Sequence, residues 1–447
     1  MEKYKITKGL DIPLAGEPKQ ELTETKLTAK VAVTGPDYVN MKPTLKVQVG
    51  DEVKKGQILF TAKKLEKVNF TAPVSGKVIA INRGEKRRFL SLVIERSGND
   101  EVEFTAYGAE KISGLTAEEV TEQLLASGFW TFIRTRPFGT IANPDAPPRS
   151  IFVNLMDTNP HAPSPSVALE GKHDDLRAGI SVLAKLTEGK VNVVKSPDCK
   201  FAIDESDKIA LYEFEGPHPA GLPGTHIHFI DPVSQTKHVW HADAQDVAAI
   251  GKLFLTGKLD FERVISIAGP EAKNPRLIKT EIGADLDEIL QGEISGDKVR
   301  IISGSVLSGR EAKDELAFLG AYHRQISIIG EPKERPLLGW ALPFGELFSV
   351  KNVLFTSRKK KLRLTTALNG GRRAIVPIGT YEKVMPLDIL PTFLLRMLAV
   401  GDVEESEKLG ALELIEEDLA LCSFVCPAKI DHETNLRNLL NIIEKEG

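Results

Sequence analysis

Cysteine is scarce in this chain of 447 residues, and long apolar runs are missing altogether. Its three cysteines are Cys199, Cys422 and Cys426, too few for a disulfide framework and typical of a reducing compartment. No run of about 18 uncharged apolar residues occurs. The closest approach, residues 385–400, contains an aspartate, an arginine and two prolines. The sequence therefore predicts a protein without a transmembrane helix.

An excess of positive charge is also missing. The chain has 58 Lys and Arg against 62 Asp and Glu, a formal net charge of −4. A nucleic-acid-binding protein usually carries a basic field, so this class is not expected. Hydrophobic residues make up 42% and charged residues 27%, which is typical of ordinary globular domains. A chain of 49.0 kDa is too long for one core, and we expect three or four domains.

Short strands and glycine turns alternate near the start of the chain. Residues 47–59 follow the pattern V-G-D-x-V-x-x-G-Q-x-L, and residues 71–80 follow A-P-x-x-G-x-V. Strand segments separated by such turns predict a small β-structure. The two patterns together resemble the biotinyl/lipoyl barrel-sandwich module, which we assign to residues 1–105.

An α/β pattern occupies the next part, residues 106–258. Thr116 precedes acidic and then apolar residues at helical spacing, as expected of a helix start. Ser150–Met156 and Lys190–Val194 have the pattern of buried strands, and Leu176–Leu183 has that of a helix. Such alternation predicts a Rossmann-like domain with a mostly parallel, doubly wound sheet.

The last two predicted domains are a small β-grasp domain and a helical one. Across residues 259–335, predicted strands at 263–269 and 300–304 flank a short helix at 284–290, which resembles the β-grasp (SLBB-like) fold. Residues 336–447 become mostly helical, with charged amphipathic helices predicted at Val403–Leu421 and Glu433–Glu446. The overall prediction is a multidomain α/β protein.

Two cysteines near the C-terminus match half of an iron–sulfur ligand run. The spacing C-x₂-C-x₂-C-x₃-C-P places Cys422 and Cys426 at its third and fourth positions, followed by Pro427. The first two positions hold Glu416 and Leu419, which supply no sulfur. The pair is therefore either the vestige of a cluster site or two buried cysteines at a helix end.

Several longer motifs point to a known family. They are Lys8–Pro13, Phe152–Pro160, His218–His228, Ile302–Gly309 and Leu412–Cys422. With the order of the four domains, they resemble the NqrA family of the bacterial sodium-translocating NADH:quinone oxidoreductases, nearly collinearly over the whole chain. The wider relatives are the corresponding soluble protein of the Rnf complex and the flavin-binding protein of respiratory complex I.

The resemblance implies a role within an assembly. Such a chain is expected to be a peripheral subunit on the cytoplasmic face of the bacterial inner membrane. The complex would oxidise NADH, reduce ubiquinone and export Na⁺. Its five other subunits, especially the membrane-embedded quinone and flavin subunit, would be the partners. FAD, the 2Fe–2S centre, FMN and riboflavin would belong to these sibling subunits, so no cofactor is expected in this one.

The flavin loop of the wider relatives is not preserved. They hold FMN phosphate on a loop of the form G-x-G-G-A-x-F-P-T, where backbone amides approach the phosphate closely. The corresponding residues 127–138 contain one glycine and several bulky aromatics. The sequence therefore predicts that this domain binds neither FMN nor NADH.

The same segment predicts a quinone site. A quinone needs apolar or aromatic walls and one or two donors for its carbonyl groups. The segment offers both, and the predicted quinone-binding residues are Phe129, Trp130, Phe132, Arg134, Arg136 and Phe138. The alternative is that the aromatics pack the core and the arginines pair with acids. In that case the protein would be a cofactor-free scaffold that docks the soluble electron-entry subunits to the membrane subunits.

Four histidines lie close together in the sequence, at His226, His228, His238 and His241. A strand would place the first two on one face, where they could ligate zinc or copper. Few other ligands stand at suitable spacing, so hydrogen bonds within a Gly/Pro-rich loop are favoured and no metal is expected.

Two further segments allow more than one interpretation. The basic stretch 358–373 could bind anionic lipid, form a solvated hairpin or pair with an acidic partner. The apolar segment 385–398 could bury against a membrane subunit or form the core of its own domain.

Overall fold

The computed structural model describes residues 1–332, 348–350 and 361–446. Its strands within these residues are, in chain order, β1 (Glu2–Lys5), β2 (Lys19–Thr25), β3 (Lys30–Thr34), β4 (Pro43–Leu45), β5 (Glu52–Val53), β6 (Ile58–Ala62), β7 (Asn69–Thr71), β8 (Gly76–Arg83), β9 (Phe89–Arg96), β10 (Arg134–Arg136), β11 (Ile151–Leu155), β12 (Val191–Lys195), β13 (Ile209–Glu215), β14 (Val239–Asp243), β15 (Glu262–Ala268), β16 (Arg276–Glu281), β17 (Val299–Ser303), β18 (Arg310–Glu311) and β19 (Gln325–Gly330).

The helices of the same residues are, in chain order, α1 (Gly108–Ile112), α2 (Ala117–Ser127), α3 (Pro165–Ala168), α4 (His173–Leu183), α5 (Pro223–Ile230), α6 (Ala244–Thr256), α7 (Leu286–Ile289), α8 (Pro391–Val400), α9 (Val403–Lys408), α10 (Glu416–Val425) and α11 (His432–Glu446). No helix of the described part is both long and apolar enough to cross a membrane.

Two small antiparallel sheets form the predicted barrel-sandwich module. One has the order β3-β9-β8-β5 and the other β4-β6-β7. The turns between short strands need a left-handed backbone at Gly50 (φ 101°) and Gly56 (φ 86°), which glycine adopts without steric cost. The glycine-centred turns predicted from the sequence therefore do connect the strands of this module.

The first two strands of the chain join other sheets. β1 pairs in parallel with β13, and β2 pairs in parallel with β16. The barrel-sandwich strands thus begin at Lys30, although the sequence prediction placed residues 1–105 together. Long-range pairing of an N-terminal segment leaves no local pattern, so the sequence does not show it.

The α/β domain is a six-stranded sheet in the order β1-β13-β12-β11-β14-β10. All neighbours are parallel except β10, which pairs antiparallel with β14 at the edge. Helix α2 begins with a capping box, because Thr116 Oγ1 accepts from the amide of Glu119 and Glu119 Oε2 accepts from the amide of Thr116. The predicted doubly wound domain is confirmed.

The β-grasp sheet has the order β18-β17-β19-β15-β16-β2, and α7 packs on it. Asp285 caps α7 by accepting from the amides of Asp287 and Glu288. The C-terminal part is helical, but the single helix predicted at Val403–Leu421 is wrong. It is divided into α9 and α10 because Gly410, at φ 96°, breaks the helix between them. The predicted fold class, a multidomain α/β protein, is confirmed.

Candidate functional site

A cleft of about 350 Å³ opens at the carboxyl ends of β11 and β14. From β11 the chain continues to β12 and β13 on one side of the sheet and returns to β14 on the other side. Ligands of open α/β sheets bind at such a reversal of strand order, because the connecting loops diverge there. We call this the switch-point cleft. Its walls include Phe132, Arg134, Asp157, His241 and Tyr322.

The guanidinium of Arg134 lines the switch-point cleft. It lies on edge strand β10, and its carbon Cζ is 4.5 Å from the ring centroid of Tyr322, a cation–π contact. In the described part of the chain it forms neither a hydrogen bond nor an ion pair. All five N–H donors of this half-buried side chain are therefore available to a ligand.

His241 lies beside Arg134 on the neighbouring strand. The two are register partners in the β10–β14 pair, so their side chains share one face of the sheet. His241 is 1% exposed, and its Nε2 atom has no hydrogen-bond partner among the described residues. Burial, together with the charges of Arg134 and Arg136, holds the pKa of His241 well below its usual value. The imidazole is therefore neutral.

The second predicted donor, Arg136, is already occupied. Its side chain is fully buried, with Nη1 donating to Asp418 Oδ2 at 2.6 Å and Nη2 to Glu417 Oε1 at 2.9 Å. Both carboxylates lie on α10, so this group joins the α/β sheet to the C-terminal helices. The contacts of Arg136 therefore hold these two parts of the chain together.

The predicted aromatic residues are divided between the core and two clefts. Phe129 is 0% and Trp130 1% exposed, and both belong to the core of the α/β domain. The indole nitrogen of Trp130 donates to the carbonyl of Ala142 at 2.8 Å. Phe132 lines the switch-point cleft, whereas Phe138 lines a different cleft on the other side of β10.

Asp157 contributes a half-buried carboxyl group to the switch-point cleft. Burial raises its pKa to about 6, although the backbone and side-chain N–H groups of Asn159, each 2.8 Å from Oδ1, act in the opposite direction. The sequence analysis did not select Asp157. It follows β11 closely, and that position at the end of a parallel strand is the signal that could have identified it.

A buried ion-pair network fixes one wall of the cleft. Asp246, at the start of α6, accepts from Arg324 Nη2 at 2.6 Å and from Arg263 Nε at 2.9 Å. Arg324 also donates to Asp243 at 3.1 Å. The arginines belong to the β-grasp part and the aspartates to the α/β part. Charge pairs this deeply buried hold their elements in a defined geometry.

Two of the four histidines lie in a helix, and not in the strand that the sequence analysis considered for them. His226 and His228 are in helix α5, which starts at Pro223, and not in a strand. Two residues apart on a helix, they point in different directions. His226 bonds to the Ala220 carbonyl at 2.8 Å, and His238 bonds to the Ala146 carbonyl at 3.1 Å.

In the residues that the structure describes, no three His, Cys, Asp or Glu side chains are arranged to hold a metal ion. Cys422 and Cys426 are both buried in the C-terminal core, and Tyr381 lies with its hydroxyl 3.0 Å from the sulfur of Cys426. Burial raises the pKa of the Cys422 thiol strongly. Leu419 packs in the same core, and Glu416 pairs with Arg437.

The two ambiguous segments also have defined contacts. Arg358, Lys359 and Lys360 of the basic stretch lie outside the described residues; Lys361 pairs with Glu17 at 3.1 Å and Arg363 with Glu271 at 2.8 Å. In the apolar segment, buried leucines of α8 enter the C-terminal core. Phe393, 56% exposed, points away from it.

These features define a multidomain α/β protein with a cleft at the carboxyl ends of its central parallel strands. Three family models match the chain: the NqrA N-terminal barrel-sandwich hybrid domain at residues 4–97, the NqrA second alpha/beta domain at 115–259 and the NqrA C-terminal domain at 264–314.

Relatives match over nearly the whole chain. The NqrA protein of the Na(+)-translocating NADH-quinone reductase from Histophilus somni (strain 2336) is 50% identical, covering 99% of both chains. The protein of the same name from Klebsiella pneumoniae (strain 342) is 50% identical, covering 99% of this chain and 100% of its own. The chain belongs to the NqrA family of Na(+)-translocating NADH-quinone reductase subunits, which form part of an oxidoreductase complex.

The solved structures give a weaker likeness. The NAD⁺-reducing [NiFe]-hydrogenase in the H₂-reduced state has a TM-score of 0.38 at 12% identity, covering 51% of this chain and 49% of that chain. Scores of this size do not define a shared fold.

Proposed function

We propose that this chain is a peripheral subunit of a sodium-translocating NADH-quinone reductase and that its switch-point cleft binds the quinone head group. Its family supports the first part, since relatives named for that complex match from end to end. It would sit on the cytoplasmic face of the bacterial inner membrane. The five other subunits would carry FAD, the 2Fe–2S centre, FMN and riboflavin, and this one would carry no cofactor of its own.

The observation that carries the quinone role is the pair Arg134 and His241. A quinone ring has two carbonyl acceptors and needs donors that are not already used. The guanidinium of Arg134 is unpaired in the described part of the chain, and His241 has an unpartnered buried nitrogen on the same face. The rings of Phe132 and Tyr322 supply flat walls. Charge on Arg134 would also favour the anionic semiquinone over the neutral quinone.

The residues of the predicted segment would then have different roles. Arg134 would donate to the quinone and Phe132 would contact it. Phe129, Trp130 and Arg136 would hold strand β10 and the preceding turn in place from within the core. Phe138 would not touch a quinone in this cleft, because it lines the cleft on the opposite side of β10.

Calorimetric titration of the full chain with a short-chain ubiquinone tests the proposal. Arg134→Gln should weaken binding about 10- to 100-fold, since a hydrogen bond from a charged donor contributes about 1.5–3 kcal/mol. Arg149→Gln is the matched control, because Arg149 is an exposed arginine just before β11, at the amino end of this strand, whereas the cleft lies at its carboxyl end. Equal affinities for Arg134→Gln and the unmodified chain would disprove the site. Absence of saturable binding would favour the scaffold role.

A further inference from the structure

A second cleft, of about 420 Å³, lies on the other side of strand β10. Side chains alternate along a strand, so Arg134 and Arg136 face one way while Thr135 faces the other. Thr135 and the following Pro137 line this second cleft, which we call the hairpin cleft. It lies between the barrel-sandwich module, the turn after β10 and the end of helix α11.

Most of the lining surface of the hairpin cleft is apolar. Its walls combine Met41 and Leu65 of the barrel-sandwich module with Phe138, Ile141 and Trp240 of the α/β domain. Met41 and Leu65 are only partly buried, whereas Ile141 is 8% exposed. Two separate parts of the chain therefore enclose a space that suits an alkyl or acyl chain.

One buried polar group in this wall, the indole N–H of Trp240, has no partner among the residues that the structure describes. Trp240 is 2% exposed, and its indole nitrogen has no hydrogen-bond acceptor within the described ranges. The neighbouring Trp130, with its ring centroid 5.4 Å away, has a partner in the carbonyl of Ala142. A buried donor left without a partner costs about 1–3 kcal/mol, so a ligand that supplies an acceptor gains from this site.

The mouth of the hairpin cleft carries positive charge. Lys42 is exposed and forms no ion pair with a described residue. Lys64 lies 3.7 Å from Glu444, a loose and solvent-exposed contact. Glu444 also accepts from Asn40 at 2.7 Å, so its charge is already shared. An anionic group at the mouth would therefore meet two lysines and one partly neutralised glutamate.

We propose that the hairpin cleft binds an acidic amphiphile, with its chain against the apolar walls, an oxygen of its polar head on the indole N–H of Trp240 and its negative charge beside Lys42 and Lys64. A fatty acid offers these groups in its carboxylate, and an acidic phospholipid offers them in its ester carbonyl and phosphate. The site is independent of the proposed quinone role, since β10 separates the two clefts.

The test is calorimetric titration of the full chain with laurate and, separately, with dihexanoyl phosphatidate below its micellar concentration. Saturable binding of laurate alone assigns the site to fatty acids. Binding of phosphatidate alone assigns it to phospholipid, and binding of both assigns the shared chemistry. Dodecyltrimethylammonium is the control for charge and is expected not to bind. Equal binding of this cation, or no saturable binding of either acid, overturns the proposal.

Variants locate the site. Leu65→Trp should fill the cleft and abolish binding, and Ala146→Phe, at another lining position, serves if the first variant does not fold.

The polar contacts are tested by milder variants. Trp240→Phe keeps a ring and removes the donor, which should weaken binding about fivefold. Lys42→Gln should weaken it about threefold at low salt, whereas Lys67→Gln should not, because Lys67 is an exposed lysine of the same module that does not line the cleft. Binding that persists in both filling variants excludes the hairpin cleft. Arg134→Gln should have no effect here, which keeps this result separate from the quinone test.

Discussion

Arg136 and Asp418 lie 282 residues apart in the chain, yet they form a hydrogen-bonded ion pair of 2.6 Å from which water is excluded. The guanidinium is 0% exposed and the carboxylate 3%. Asp418 also accepts from the amide of Ile415 at 2.9 Å, which fixes the start of helix α10. One pair of charges thus holds the edge of the α/β sheet against the C-terminal helices.

Removing one partner of this pair should be strongly destabilising. Arg136→Met leaves Asp418 buried without its counter-charge, which typically costs about 3–5 kcal/mol. Urea unfolding should show a loss of that size in the free energy of unfolding. The double variant Arg136→Met with Asp418→Leu should recover part of it, because the fully buried carboxylate is gone and the remaining partner, Glu417, is 21% exposed to water. Additive losses in the double variant would contradict this account.

Asp157 should make stability depend on pH. Its pKa is about 6 in the folded chain, against an ordinary value of 3.8, so the folded state binds the proton more tightly than the unfolded state. The contribution of Asp157 to the free energy of unfolding is on the order of 3 kcal/mol. It is fully present below pH 4 and is lost as the pH rises through about 6.

Asp157→Asn removes that contribution and keeps an acceptor for Asn159. The free energy of unfolding of the variant, minus that of the unmodified chain, should be larger at pH 7.5 than at pH 4.5. Urea unfolding of both proteins at the two pH values measures this difference. A difference between the two proteins that does not change with pH would show that Asp157 titrates normally.

Helix α2 should depend on its capping box. Thr116→Ala removes the acceptor for the amide of Glu119 and should lower the free energy of unfolding by about 1 kcal/mol. Glu122→Ala, at an exposed position of the same helix, should change it little. The shifts in melting temperature of the two variants, measured by thermal unfolding, test this prediction. Equal shifts would mean that helix propensity, and not the cap, determines the loss.

Helices α4 and α6 approach closely through Gly179 and Gly251. A Cβ atom on Gly251 would overlap the carbonyl oxygen of Asp175, and one on Gly179 would overlap that of Val247. Gly251→Ala should therefore lower the free energy of unfolding by about 1–3 kcal/mol or more, since the helices must separate. Gly114→Ala is the matched control, because its nearest neighbour would be 3.6 Å away. A stable Gly251→Ala variant would show that the helices can move apart freely.

Local chemistry made much of the fold predictable. The glycine turns of the barrel-sandwich module, the cap at Thr116 and the apolar strand β11 each depend on residues near them in sequence. Strands β1 and β2 were not predictable in this way, because they pair with β13 and β16 far along the chain. Helix α5 was missed because its alternating histidines also suit a strand, and Pro223 was not recognised as its first residue.

The candidate site shows the same division between sequence and tertiary structure. The sequence by itself determined that β10 carries two arginines among aromatic residues, and it predicted that the loop before β10 does not cradle a phosphate. Tertiary structure decided which arginine is available to a ligand: Arg136 pairs with two carboxylates of α10, while among the described residues the Arg134 guanidinium contacts the face of Tyr322 and pairs with no carboxylate. The physical reason is that a donor is free or occupied according to what the rest of the chain places beside it, and those partners lie hundreds of residues away.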